Sequence, residues 1–287
     1  MTTMNDIWQY RNYLLSRFFQ SLSILMLLYE LLILIKSFDN IISTHRICTV
    51  IIIISICLLY ALYGLLRPPK SITLEINKRT QLTIKEGNLM EATGVKVIPV
   101  NEYFDTHLGD GIINKDSLHG QFLSMFQGRI SELRVEIDKQ LESFQPLPKN
   151  RERTKDFELP SNRYPLGTCI KIVEGDNTYL LVATTRFNEY EHVDVSAEEF
   201  PEVVRKMFNG IEQLHDGEPV FIPLVGGGIS GYELTNMQII MTIVQAAHMA
   251  KRLCITKGIY LYLYGDKQNK SINLNIIKYL FQRWKTL

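Results

Sequence analysis

Pro223-Leu224-Val225-Gly226-Gly227-Gly228-Ile229-Ser230-Gly231-Tyr232 is the stretch that decides how most of this chain folds. The apolar run Val220 to Val225 reads as a buried strand, and a helix is expected from about Thr235, within Leu234 to Leu253. Glycines at such a junction let the backbone turn and approach a ligand without Cβ clashes. Successive N–H groups and the N-terminus of the helix that follows favour an anion, above all a phosphate. The pattern lacks the Gly-Lys-Ser/Thr of a Walker loop. Nor does it follow the first strand of a βαβ unit, as the dinucleotide fingerprint does. Glycine clusters also form plain turns, so the loop needs a second feature beside it.

That feature lies upstream. The compact strand Val95 to Val100 leads into Asn101, Asp105 and then Gly109-Asp110-Gly111-Ile112. In an open α/β sheet, ligands lie outside the carboxyl ends of the strands. Two glycine loops leaving strand ends can clasp a diphosphate from both sides.

Further strands are expected at Ser71 to Ile76, Gln81 to Lys85, Thr168 to Val173, Tyr179 to Thr184 and Ile259 to Tyr264. Apolar residues from Leu118 to Leu141 recur at helical spacing and read as one long amphipathic helix, weakened by Gly120 and Gly128. Phe200 to Leu214 and Ile272 to Trp284 give two more helices. The expected fold class is α/β, with a mixed sheet covered by helices on both faces. Residues 143–165 are polar and proline-punctuated, a long excursion that is either a lid or an insertion.

The first third has a different character. The chain of 287 residues has a formal net charge of +1, and its mean hydropathy of zero averages a very apolar start with an ordinary globular remainder. Segments 18–35 and 47–66 are long and apolar enough to cross a bilayer, and the short connection between them predicts a transmembrane helical hairpin. Residues 1–70 are therefore expected to form the hairpin and 71–287 the ligand-binding domain. Arg11, Arg17, Arg67, Lys70, Lys78 and Arg79 outnumber Lys36 and Arg46, which puts the larger domain on the cytoplasmic side. Glu30 stands within the first span, as an oligomer contact, a pore-lining group or a side chain snorkelling to the interface. The near-neutral balance gives no support to a nucleic-acid partner, which would need a basic face. Four scattered cysteines suggest neither a disulfide framework nor a metal site.

With both loops in view, the sequence resembles the macro-domain family of ADP-ribose-binding α/β/α modules over about residues 72–285. Val100-Asn101-Glu102-Tyr103-Phe104 stands where that family has Val-Asn-Ala-Ala-Asn, and Gly87-Asn88-Leu89 where it has Gly-Asp-Ile. Gly109-Asp110-Gly111-Ile112 and Gly226-Gly227-Gly228-Ile229-Ser230-Gly231-Tyr232 match its two glycine loops. The resemblance implies that Asn88 accepts the adenine amino group, that Tyr264 stacks on adenine, and that Asn101, Asp105, Val225 and both loops bind the ligand. Phe104 replaces the second asparagine, near the distal ribose where hydrolytic members work. This implies sensing in place of catalysis, with no catalytic residue and no cofactor.

Two spans joined to such a domain resemble the ThsA-like membrane effectors of Thoeris-type bacterial anti-phage systems. Asn101 to Asp105 and Ser117-Leu118-His119-Gly120 are the stretches associated with this branch. The resemblance implies an ADP-ribose-derived signal, histidine-ADP-ribose made by a TIR-domain enzyme, as ligand. It further implies homo-oligomerisation and disruption of the lipid bilayer at the bacterial inner membrane. The alternative is a membrane-tethered hydrolase of ADP-ribose adducts. His107 and His119 flank the first glycine loop, whereas His45, His192, His215 and His248 have no metal-ligand spacing.

Overall fold

The computed structural model describes residues 10–34, 44–109, 112–149, 159–188, 193–226, 232–250, 252–264 and 272–285. Its contacts divide the chain into two units, Ser71–Ile272 and a second made of Met1–Lys70 with Asn273–Leu287.

In the smaller unit, α1 (Arg11–Ile33) and α2 (Arg46–Leu66) pack side by side. Tyr13 approaches Gly64 and Arg17 lies over the Tyr60 ring, so the two helices are antiparallel. Both have the length and apolar composition of a membrane span. Leu15, Phe19, Leu27, Ile51, Ile52 and Leu59 leave half or more of their surface exposed, the pattern of helices apolar on every face.

The larger unit carries a seven-stranded sheet. Its strands are β1 (Ser71–Asn77), β2 (Thr80–Glu86), β3 (Val95–Asn101), β4 (Cys169–Glu174), β5 (Asn177–Thr185), β6 (Val220–Pro223) and β7 (Ile259–Leu263). They lie in the order β1-β2-β7-β6-β3-β5-β4. The two outer pairs are antiparallel hairpins, while β2, β7, β6, β3 and β5 run parallel. The sheet is thus mixed, as the alternation of strands and helices predicted. Central strands such as Val95–Asn101 are almost wholly buried, as parallel strands covered on both faces must be.

One face of β3 and β5 (Ile98, Val100, Tyr179, Leu181 and Ala183) packs against α3 (Leu118–Ser124) and α4 (Ile130–Leu141). The helices α5 (Phe200–Leu214) and α6 (Asn236–Met249) pack on each other, α5 against β4 and β5 and α6 against β1. The long helix expected from Leu118 to Leu141 is two helices. Gly128 takes φ +88° between them, a left-handed turn that no continuous right-handed helix contains. The helix after β6 is shorter than its apolar pattern. Thr235 and Gln238 close a capping box at its start, and the Leu253 carbonyl turns away to accept from Asn77 and Thr80.

The last helix, α7 (Leu274–Lys285), keeps company with the hairpin. Asn273 Nδ2 donates to the Leu65 carbonyl at 2.8 Å and Asn275 Nδ2 to that of Gly64 at 2.7 Å. Both carbonyls belong to the last turn of α2, where intrahelical donors run out. Tyr279 donates to the Asn12 carbonyl and meets Tyr13 edge to face.

Candidate functional site

Parallel strands present their carboxyl ends at one edge of the sheet, and a cleft of about 1000 Å³ opens there. The ends of β3 and β6 supply Asn101 and the turn Pro223 to Gly226, while Tyr262 and Tyr264 come from the end of β7. Residues Ile112 to His119, running into α3, form a further wall, and Thr185 at the end of β5 and Phe187 just beyond it complete the lining. A cleft of this size and mixed lining suits a dinucleotide-sized ligand.

Asn101 lines the cleft, yet its amide is engaged within its own loop. Nδ2 donates to Asp105 Oδ2 at 2.9 Å, and Oδ1 accepts from the Tyr103 and Asp105 N–H groups. Such a side chain folds the loop leaving β3 by offering the backbone local partners. Asp105 is fully buried and stands behind the cleft wall. Glu102, also buried, accepts from the Phe187 N–H at 3.3 Å and faces Arg163 at 3.5 Å. These contacts tie Phe187 and the 159–165 segment to the end of β3.

Phe104 adopts φ +52°, uncommon for a bulky residue. Its ring is buried in the core and meets Tyr164 edge to face, and its carbonyl accepts from Arg134. The side chain that replaces the family's second asparagine therefore belongs to the core under α4, away from the cleft lining.

None of the expected ligand residues lies in the wall from Asn114 to Gln121, although Ser117 to Gly120 carries part of the family resemblance. Ser117 caps α3 by accepting from the Gly120 N–H, and a Cβ on Gly120 would stand 2.2 Å from the Asn114 carbonyl oxygen. Glycine at this position is what lets the helix lie against the preceding turn. His119 is buried, and burial pushes its pKa down to about 4 against a smaller upward pull from a hydrogen bond to the Asp105 backbone. The imidazole on this wall is therefore neutral at physiological pH. The signal in the sequence is the short polar run Asn114 to Ser117 that follows the first glycine loop.

On the opposite side, Gly226 takes φ +87° at the turn leaving β6. Tyr232 is buried behind this turn, donating to the Thr184 carbonyl at 2.8 Å and meeting Phe200 edge to face. Burial and the nearby Glu199 raise its phenol well above its ordinary value. Asn88 turns to local work, with Oδ1 accepting from Met90 and Nδ2 donating to Glu91, while its neighbours Gly87 and Leu89 line the cleft. Tyr264 stands at the rim with 61% of its surface exposed.

Of the expected ligand residues, Asn101, Gly109, Ile112, Val225, Gly226 and Tyr264 share the cleft, and Asn88, Asp105 and Tyr232 stand outside its lining. Asp110, Gly111, Gly227, Gly228, Ile229, Ser230 and Gly231 lie outside the described residues.

The mixed sheet between helices, with its cleft where the parallel strands end, is the fold that solved macrodomains share. An Oceanobacillus iheyensis macrodomain with MES bound shares the fold at a TM-score of 0.51 and 13% identity, over 74% of this chain and 98% of that one. A point mutant of that macrodomain with ADPR does so at 0.52 and 12% identity, over 74% and 99%. Residues 82–258 match the family model for the Macro domain of Thoeris protein ThsA, and the chain belongs to that family. It is similar to Thoeris protein ThsA of Bacillus amyloliquefaciens (strain Y2), 29% identical over 234 residues, covering 78% of this chain and 75% of that relative.

Proposed function

We propose that this protein is a membrane-anchored anti-phage effector whose cleft binds an ADP-ribose-derived signal. The observation that carries the reading is the cleft itself. It lies at the carboxyl ends of β3, β6 and β7, between the Asn101–His119 loop and the turn at Gly226, where a diphosphate is met from two sides. The resemblance to Thoeris effectors supports histidine-ADP-ribose, made by a TIR-domain enzyme, as that signal. Gly109 and Gly226, both at positive φ, let backbone N–H groups approach the phosphates, and Tyr264 at the rim offers a ring to adenine.

The two apolar helices act as the output. They cross the bacterial inner membrane as a hairpin with the macrodomain in the cytoplasm, and ligand drives homo-oligomerisation that disrupts the bilayer. The exposure of apolar side chains all around α1 and α2 supports lipid as their solvent. Glu30 remains exposed within α1, available to a second copy in the assembled state.

Calorimetry of the full chain in neutral detergent, titrated with ADP-ribose and with its histidine adduct, tests the sensing step. The adduct is expected to bind without turnover and to enlarge the particle in light scattering. Folded protein that gives no heat with either compound sinks the reading. Steady release of free ADP-ribose from the adduct would move it to the second reading, a membrane-tethered hydrolase.

A further inference from the structure

The smaller unit concentrates positive charge at one end. Arg11 and Arg17 lie in the first two turns of α1, Arg67 and Lys70 follow α2, and Lys278 projects from α7. The antiparallel packing brings the start of α1 to the end of α2, and the bonds from Asn275 to Gly64 and from Tyr279 to Asn12 hold α7 at that same level. Among the described residues of this unit, the one carboxylate is Glu30. It sits thirteen residues along α1 from Arg17, about 20 Å away at 1.5 Å per residue.

Within the cluster, Arg17 is half-buried against Tyr60 and Gly64. The Arg17 guanidinium lies 4.4 Å from the centre of the Tyr60 ring. Its Nε, together with the Tyr13 hydroxyl, is buried without a hydrogen-bond partner. Gly64 makes the room, since a Cβ there would stand 2.6 Å from the Tyr13 hydroxyl and 3.5 Å from Arg17 Nη2. Its Nε faces inward, so an anion can offset the cost of half-burying this charge only at the outer edge of the guanidinium. Phosphate oxygens suit the planar fork of arginine.

We propose that this end of the unit is a docking surface for anionic phospholipid. A headgroup phosphate is held at the outer edge of the Arg17 guanidinium, and Arg67, Lys70 and Lys278 add positive charge at the same end. The site rests on the hairpin spanning a bilayer, which places these residues at headgroup depth. Clamped by Asn273, Asn275 and Tyr279, α7 adds Lys278 to the surface and fixes the height at which it meets the membrane. Basic pockets between spanning helices select acidic lipids because each cation adds attraction within a screening length of the surface.

The test is lipid selectivity of the full chain reconstituted in phosphatidylcholine bilayers, read by motional restriction of spin-labelled phosphatidylglycerol against spin-labelled phosphatidylcholine. Phosphatidylglycerol is expected to be favoured, with the preference falling as salt rises. The double variant Lys70→Gln/Lys278→Gln, which alters exposed side chains alone, should weaken it roughly fivefold per cation removed. Arg17→Gln should abolish the slowest-exchanging component. Equal restriction of the two lipids by wild-type protein that survives an alkaline carbonate wash overturns the docking site and leaves the membrane reading standing. Release of the protein by that wash overturns both.

Discussion

Asn101 Nδ2 reaches Asp105 Oδ2 across 2.9 Å, and the same amide accepts two backbone N–H groups of the loop that the pair encloses. The asparagine at the mouth of the cleft thus builds the mouth as well as lining it.

Replacing Asn101 by Leu keeps the volume and removes that framework. A buried carboxylate loses one donor and two backbone N–H groups lose their acceptor, a cost of about 2–3 kcal/mol. Urea unfolding of the ligand-free full chain should show the loss. An unchanged midpoint would mean that the loop holds its shape without Asn101.

Phe104→Ala removes a core ring that sits against Tyr164, and should destabilise the protein by about 3–5 kcal/mol. Phe104→Asn restores the family's asparagine in sequence but puts an amide into apolar surroundings. It is expected to lower stability without conferring hydrolysis of ADP-ribose adducts, checked by thermal unfolding and by chromatography of the products. Rapid turnover by this variant would contradict the placement of residue 104 in the core.

Stability should fall on mild acidification because of His119. Burial depresses its folded pKa to about 4, below an unfolded value near 6.5. Between the two values the unfolded chain binds the extra proton. The contribution is therefore complete above about pH 6.5, declines as pH falls, and is lost at about pH 4. Its size is roughly 3 kcal/mol. Unfolding free energies measured across this window should flatten in His119→Gln; parallel curves for wild type and variant would rule the group out.

Two glycine substitutions separate the walls of the cleft. At Gly120, an alanine Cβ would press on the backbone of Asn114 and Lys115. Gly120→Ala should therefore displace the α3 wall, lowering both stability and affinity. At Gly226, φ +87° makes alanine strained by about 1–2 kcal/mol, and its Cβ would lie 3.1 Å from Phe200. Calorimetry with ADP-ribose should show each variant binding at least tenfold more weakly. Wild-type affinity in both would exclude these walls from the site.

The parts of the fold that were legible share a cause. Strand and helix patterns around Ser71 to Lys85, Val95 to Val100 and Phe200 to Leu214 follow from burying apolar side chains at a fixed period, and that period is written locally. The split of Leu118 to Leu141 was less legible, because Gly128 is tolerable within a helix and the tertiary structure uses it as a turn. Cleft residues were readable where glycine marked a turn at positive φ, at Gly109 and Gly226. They were unreadable at Thr185, Phe187 and Tyr262, whose type is ordinary and whose place depends on strand order.

By itself the sequence determined two apolar helices, a mixed α/β sheet and a pair of glycine loops at strand ends. Hydrophobic length and periodicity, together with the freedom of glycine, are properties of neighbouring residues. The tertiary structure alone decided which way side chains of identical type would face. It turned Asn101 inward upon Asp105, seated Phe104 in the core and brought His119 to the cleft. It also carried α7 back to the hairpin, because the carbonyls at the end of α2 find their donors in Asn273 and Asn275, more than 200 residues further along the chain.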